Sequence, residues 1–297
     1  MKKKLLSLMT LVVVVLFWNQ SAISCSSFAV YADKPFYGMN FDYDMFPMKV
    51  KIVEAEGLKS FHLAFERPVG NGKKIWADTA GMNSLGLFAA VQEELPYQVN
   101  PSLPGSNDMY AFQLYGSIYT SGTVTAIENI CSAKRLVQHK AVSVHCLIAD
   151  TSGKAIVAEA GKDANSLIKM DGRFMVMTNF ANRSLIGKNY KDAKGIGDKR
   201  YIAGYDYLSK NSDKFTMGKG MITLELMKNL NPKYPTCCSM VFDPIEKTVY
   251  FALYTDFQKI FKVSLEEGTI SSFKGFSKSV SLEPGQNGIL LTELAKL

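Results

Sequence analysis

The chain has 297 residues, of which 47% are apolar and 21% charged, with a formal net charge of +7. Such a chain can bury a sizeable core, so it is not a disordered polyelectrolyte. Without Lys2, Lys3 and Lys4 the charge of +7 falls to +4, and the remaining Lys and Arg are scattered, so neither a nucleic-acid footprint nor a polybasic membrane patch is present.

The first element is a leader. Lys2, Lys3 and Lys4 form a basic start, Leu5 to Trp18 an apolar stretch, and Ala22 and Ser24 are small residues at −3 and −1 of a secretory cleavage site. The expected organisation is a signal peptide at 1–24 and a single exported domain at 25–297, periplasmic or extracellular. After the leader no apolar run approaches the roughly 20 residues that span a bilayer. Strand-like stretches come next at Ser27–Ala32, Pro35–Asn40, Lys49–Ala55, Phe61–Phe65, Ile75–Thr79 and Leu85–Val91, short, β-branched or aromatic, and bounded by turn residues. Glu93–Gly105, with Pro96, Pro101 and Pro104, reads as a loop. Helices are expected at Asp108–Tyr119 and Val124–Leu136, with Asp108 and Thr123 as caps. Strands resume at Ser143–Asp150, Ala155–Ala160, Ser166–Met170 and Arg173–Thr178. Two more helices are expected at Asp198–Leu208 and Lys219–Asn229. The pattern closes with Cys238–Phe242, Thr248–Tyr254 and Lys259–Ser264 as strands, the first two joined by a hairpin at Pro244–Lys247. Strands and helices in alternating blocks suit a layered α+β domain of antiparallel sheets between helices.

Cleavage after Ser24 would leave Cys25 at the N-terminus, placing a thiol and a free α-amine on one residue. A thiolate is a strong nucleophile, and an amine with a reference pKa of roughly 7.7–8.0 can accept its proton near neutral pH. Two other uses compete: a structural cysteine, or the lipidated cysteine of a surface lipoprotein. Ala22 argues against the second, since a lipobox usually carries Leu there. The other cysteines, Cys131, Cys146, Cys237 and Cys238, fall in helix-like or strand-like apolar runs and read as free buried thiols; they lack zinc-site spacing. His62, His139 and His145 form no motif, and His145 reads as a core residue.

The segments downstream of Cys25 decide among these uses. Cys25-Ser26-Ser27-Phe28-Ala29-Val30 runs into Gly38-Met39-Asn40-Phe41-Asp42-Tyr43. Gly81-Met82-Asn83-Ser84-Leu85-Gly86-Leu87 is next, then Leu147-Ile148-Ala149-Asp150-Thr151-Ser152-Gly153 with Ile156-Val157-Ala158-Glu159. Val176-Met177-Thr178-Asn179, Asp198-Lys199-Arg200-Tyr201 and Val241-Phe242-Asp243 complete the series. In this order the segments resemble the N-terminal nucleophile cysteine hydrolases of the choloylglycine hydrolase and penicillin V acylase family, over about 25–255. The resemblance implies a four-layer αββα sandwich, often a tetramer, needing no metal or organic cofactor. It implies hydrolysis of a linear, non-peptide amide, a small molecule with an apolar acyl group, through a thioester on Cys25. Asp42 would orient the α-amine, Asn179 would donate to the oxyanion with a backbone N–H near Gln92 or Glu93 as second donor, and Arg200 would favour the thiolate. Met39 stands where the family usually carries Arg, and with Glu93 is a candidate substrate contact. The apolar character of the acyl group is read from Tyr43, Met45, Phe46, Met48, Tyr97, Met109 and Tyr110. An acyltransferase of the same fold is the enzymatic alternative, and a non-catalytic lipoprotein lipidated at Cys25 the other.

Overall fold

The structure, a computed structural model, describes residues 24–43, 46–70, 72–96, 107–140 and 142–297. Of the expected signal peptide at 1–24, residues 1–23 lie outside them, as do Met45 and Tyr97. The chain opens with β1 (Ser26–Tyr31) and β2 (Pro35–Asp42), a hairpin in which Ser26 faces Asn40. Four further antiparallel strands follow: β3 (Met48–Ala55), β4 (Leu58–Gly70), β5 (Lys73–Asn83) and β6 (Phe88–Glu93). Then come β7 (Asp108–Tyr110), a 3-10 helix Ala111–Tyr119, α1 (Val124–Ala133), β8 (Arg135–Val137), β9 (Val144–Ala149), β10 (Ala155–Glu159), β11 (Ser166–Lys169) and β12 (Phe174–Met177). Helices α2 (Asp198–Asn211) and α3 (Met217–Leu226) precede β13 (Thr236–Asp243), β14 (Thr248–Leu253), β15 (Ile260–Ser264), β16 (Thr269–Lys274), β17 (Ser281–Leu282), β18 (Ile289–Leu290) and the short α4 (Leu291–Leu294).

Apart from the parallel pair β7-β8, the described strands form two eight-stranded antiparallel sheets, ordered β12-β1-β2-β13-β14-β15-β16-β17 and β11-β10-β9-β6-β5-β4-β3-β18. Three apolar layers hold them. Between the sheets lie Tyr37, Met39, Phe41, Phe61, Phe88, Phe242 and Phe251. Phe28, Val30, Val176, Leu208, Leu224 and Val241 join the first sheet to α2 and α3. Leu87, Leu114, Ile118, Val124, Ile127 and Ile148 join the second sheet to α1 and the 3-10 helix. The molecule is therefore an αββα sandwich, as expected.

The layering explains the sequence pattern. Strands covered on both faces, such as β13 with every residue buried, read as continuous apolar runs. β3 alternates, with Met48, Val50 and Ile52 buried and Lys49 and Lys51 partly exposed. Gly38 is required by a close approach: a Cβ there would lie 2.3 Å from Cε1 of Phe28, whose ring fills the first sheet's helical face. Burying such a ring contributes about 1.5–3 kcal/mol.

The first two expected helices differ. Asp108–Tyr119 is a short strand followed by a 3-10 helix, and Asp108 caps no helix; it pairs with Arg135 at 2.8 Å where β7 runs parallel to β8. The second helix ends at Ala133, because residues 135–137 leave it to form β8. Thr123 does cap it, accepting from Ala126 N–H. Thr269–Lys274 is an additional strand. All five cysteines are free and buried.

Candidate active site

Cys25 immediately precedes β1, on the inner face of the first sheet, fully buried in the core between the sheets. Its neighbours on either side of the sheet plane divide by the period of two. Met39 and Phe41 share its inner layer. Ser26, Asn40 and Asp42 turn to the helical side, where Asn40 Nδ2 donates to the Leu224 carbonyl of α3 at 2.8 Å.

Arg200, in the first turn of α2, gathers this region. Its Nη1 donates to the Cys25 carbonyl at 2.9 Å, to Ser26 Oγ at 2.6 Å and to Asp42 Oδ2 at 2.9 Å. Its Nη2 donates to Ser24 Oγ at 2.6 Å and Asn179 Oδ1 at 2.9 Å. One planar fork thus holds five acceptors, which a lysine could not reproduce. Gly197, at the start of α2, makes room for it: φ is +87°, and a Cβ would lie 2.8 Å from Arg200 Nη2 and 2.9 Å from Thr178 Cβ. Sequence reading did not single out Gly197; a glycine three residues before the arginine is its only mark.

The Cys25 nitrogen donates to Asn179 Oδ1 at 2.9 Å. Asn179, just past β12, turns its Nδ2 to the Glu93 carbonyl at 2.9 Å, and its own carbonyl accepts from Leu95 N–H at 2.6 Å. The group that accepts from the Cys25 nitrogen is therefore Asn179. Asp42 is engaged by Arg200 and by the Thr236 hydroxyl, which donates to Oδ1 at 2.5 Å. With Ser24 attached, the Cys25 nitrogen is a peptide nitrogen and has no basicity.

Electrostatics follow from burial. Desolvation pushes the Cys25 thiol well above its usual range, and the Asp42 and Glu93 charges add to this; a hydrogen bond from the Asp42 backbone and the Arg200 charge pull the other way. Arg200 opposes the rise without overcoming it. Burial likewise pushes Asp42 up to about 7, against the pull of Arg200 and the Thr236 hydrogen bond.

Cys25, Asp42, Asn179 and Arg200 thus come together, with Glu93 joined to them through its carbonyl. Met39 is fully buried in the same inner layer, opposite Ser27 on β1 and Met240 on β13. The aromatic and Met series divides. Tyr43 and Phe46 pack with Phe41 and Phe65 in or against the core that holds Cys25, the Tyr43 and Phe65 ring centroids 4.8 Å apart. Met48 lies on β3 in that core, whereas Met109 packs against the layer outside the second sheet. Among the described residues no group of three His, Cys, Asp or Glu side chains could hold a metal ion.

No protein-family model matches the chain, and no curated protein matches its sequence. Solved structures do. A cysteine-to-alanine mutant of conjugated bile acid hydrolase from Clostridium perfringens aligns with a TM-score of 0.63 at 14% identity, covering 86% of this chain and 98% of that one. An arginine-to-leucine variant of that hydrolase gives 0.63 at 15%, over 87% and 99%. Penicillin V acylase from Agrobacterium tumefaciens gives 0.60 at 15%, over 89% and 93%. The chain has the fold of these proteins along nearly its whole described length.

Proposed function

We propose that this protein is an exported cysteine amidase that cleaves a linear, non-peptide C–N bond through an acyl-enzyme on Cys25. The observation that carries the reading is the joining of Cys25 and Asn179: nitrogen to Oδ1 at 2.9 Å, with Asn179 Nδ2 turned to the Glu93 segment and Arg200 binding both residues. The shared fold supports it, since the neighbours are a hydrolase of conjugated bile acids and an acylase of penicillin V.

Removal of the segment ending at Ser24 converts the Cys25 nitrogen into an α-amine still held by Asn179 Oδ1. That amine takes the thiol proton as sulfur attacks the amide carbonyl. The C=O π pair moves to oxygen, and the oxyanion is stabilised by Asn179 Nδ2–H and a backbone N–H of the Glu93 segment. Collapse expels the amine product, which receives the proton from the α-ammonium, and leaves a thioester. Water, deprotonated by the same amine, attacks the thioester and releases the acid with the thiol restored. Asp42 and Arg200 hold the cysteine backbone while charge develops.

Met39, Phe41, Tyr43 and Phe65 around Cys25 favour an apolar acyl group: phenoxyacyl or fatty-acyl amides, N-acyl homoserine lactones or bile-acid conjugates. Met39 supplies neither charge nor a hydrogen-bond donor. The test is a screen of these amides with the mature protein and with Cys25→Ala. Turnover lost in a folded Cys25→Ala variant supports the assignment, and retained turnover refutes it. An added amine acceptor that diverts product from acid to new amide would make it an acyltransferase.

A further inference from the structure

A second cluster of charged side chains lies directly behind Asn179. Glu159, the last residue of β10, is fully buried, and its carboxylate accepts three N–H hydrogen bonds and faces a histidine. Oε1 faces His145 Nδ1 at 3.2 Å and accepts from Asn182 N–H at 2.6 Å. Oε2 accepts from Arg183 N–H at 3.1 Å and from Arg183 Nη1 at 2.9 Å. Arg183 extends the chain of charges, its Nη2 lying 2.6 Å from Glu94 Oε1. His145, on β9 and buried, presents Nε2 to the Thr178 carbonyl at 2.6 Å. A carbonyl only accepts, so Nε2 carries the hydrogen of that contact, while Nδ1 faces the Glu159 carboxylate. His145 therefore bridges the Thr178 carbonyl to Glu159, and Arg183 joins Glu159 to Glu94.

The placement of these groups is informative. Glu94, His145 and Glu159 belong to the second sheet or the segment leaving it, while Thr178 and Arg183 follow β12 of the first. The network therefore ties the two sheets together where Asn179 meets residues 93–95. Thr178 precedes Asn179, and Glu94 lies between Glu93, whose carbonyl takes Asn179 Nδ2–H, and Leu95, whose N–H goes to the Asn179 carbonyl. A buried ion network adds little net stability compared with apolar packing of equal volume, so its use is in fixing geometry.

We propose that His145, Glu159, Arg183 and Glu94 form a positioning network that holds Asn179 against residues 93–95, setting the oxyanion pocket of the amidase. This rests on the function proposed above. None of the four needs to touch substrate; they act through Asn179 and the Glu93 segment. A donor displaced by about 1 Å costs up to about 100-fold in rate.

The test is Glu159→Gln in the mature protein. Its amide has one accepting oxygen where the carboxylate has two, and its NH2 would oppose either the Asn182 N–H on one side or the two Arg183 donors on the other. The expected result is a kcat lower by roughly 10- to 100-fold with KM within about twofold. Alkylation of Cys25 by iodoacetamide should keep its wild-type rate, because the nucleophile is not disturbed. Hydrogen exchange should quicken in the peptides holding 93–95 and 178–179 and not elsewhere. Arg183→Lys should retain more kcat than Arg183→Met. Wild-type kcat and exchange in Glu159→Gln would overturn the proposal, as would a kcat loss matched by equal loss of alkylation and accelerated exchange throughout. If Glu159→Gln does not fold, Glu94→Gln decides by the same readouts. The exchange measurement needs no substrate: if the wild-type protein hydrolyses no amide, local quickening still supports the network, and unchanged exchange overturns it.

Discussion

Asp42→Asn gives a quantitative test of the electrostatics at Cys25. Asp42 is fully buried and its carboxyl is pushed up to about 7, whereas in the unfolded chain an aspartate titrates near about 3.9. Between these values the folded protein binds the proton more tightly than the unfolded chain. This contribution to stability is therefore fully present below about pH 4 and is lost as pH rises through about 7. At about 1.36 kcal/mol per pH unit, the span amounts to on the order of 4 kcal/mol. Asparagine has no proton to lose, so the wild-type minus variant stability difference should fall with pH by about 1.4 kcal/mol per unit between about pH 4.5 and 6.5, then level off above about 8. Urea unfolding of both proteins at several pH values measures it, with the difference cancelling groups common to both. A difference independent of pH would refute the claim that burial outweighs the Arg200 ion pair at 2.9 Å.

Other expectations concern the same site. Asn179→Ala should lower kcat by roughly 100- to 1000-fold, as loss of an oxyanion donor does, measured on whichever amide the screen identifies. Gly197→Ala places a methyl 2.8 Å from Arg200 Nη2 at a positive φ; it should lower stability by roughly 1–3 kcal/mol in urea melts and reduce kcat with it. Arg200→Lys should lose most activity in steady-state assays, since an ammonium cannot reach both Asp42 and Asn179 as the guanidinium does. Protein retaining Ser24 should alkylate slowly at Cys25 at neutral pH, because burial holds its thiol well above the usual range; fast labelling in a rate assay with iodoacetamide would contradict this.

Much of the sandwich was legible because its strands carry the period of two or, where both faces are covered, a continuous apolar run. β3 and β13 are the two cases. The 3-10 helix at Ala111–Tyr119 was not legible as such. Its buried Ala111, Leu114, Tyr115 and Ile118 sit at spacings of three, four and seven, which an α-helix also satisfies, so apolar pattern does not reveal which carbonyl each N–H reaches. Asp108 looked like a cap because its ion-pair partner, Arg135, is 27 residues away. In the candidate site, Cys25, Asp42, Asn179 and Arg200 could be chosen from ordered motifs. Their division of labour could not. That Arg200 lies on the helical side of the sheet, bound to the Cys25 carbonyl, and that Asn179 takes the Cys25 nitrogen, depend on side-chain geometry between distant segments. The same holds for His145: an apolar strand around a histidine reads as core, and the buried carboxylate that faces it lies on the neighbouring strand.

The proposed amidase requires that Cys25, freed at its nitrogen, forms the acyl-enzyme. Intact mass and N-terminal sequencing of the protein after cellular expression of the full chain, followed by mass analysis of the acid-quenched protein during incubation with an amide, test it directly. The expected result is a free N-terminus reading Cys-Ser-Ser-Phe and an acyl adduct on Cys25 that disappears as substrate is exhausted. A lipid-blocked Cys25, an N-terminus elsewhere that leaves Cys25 internal, or turnover persisting in Cys25→Ala would contradict it.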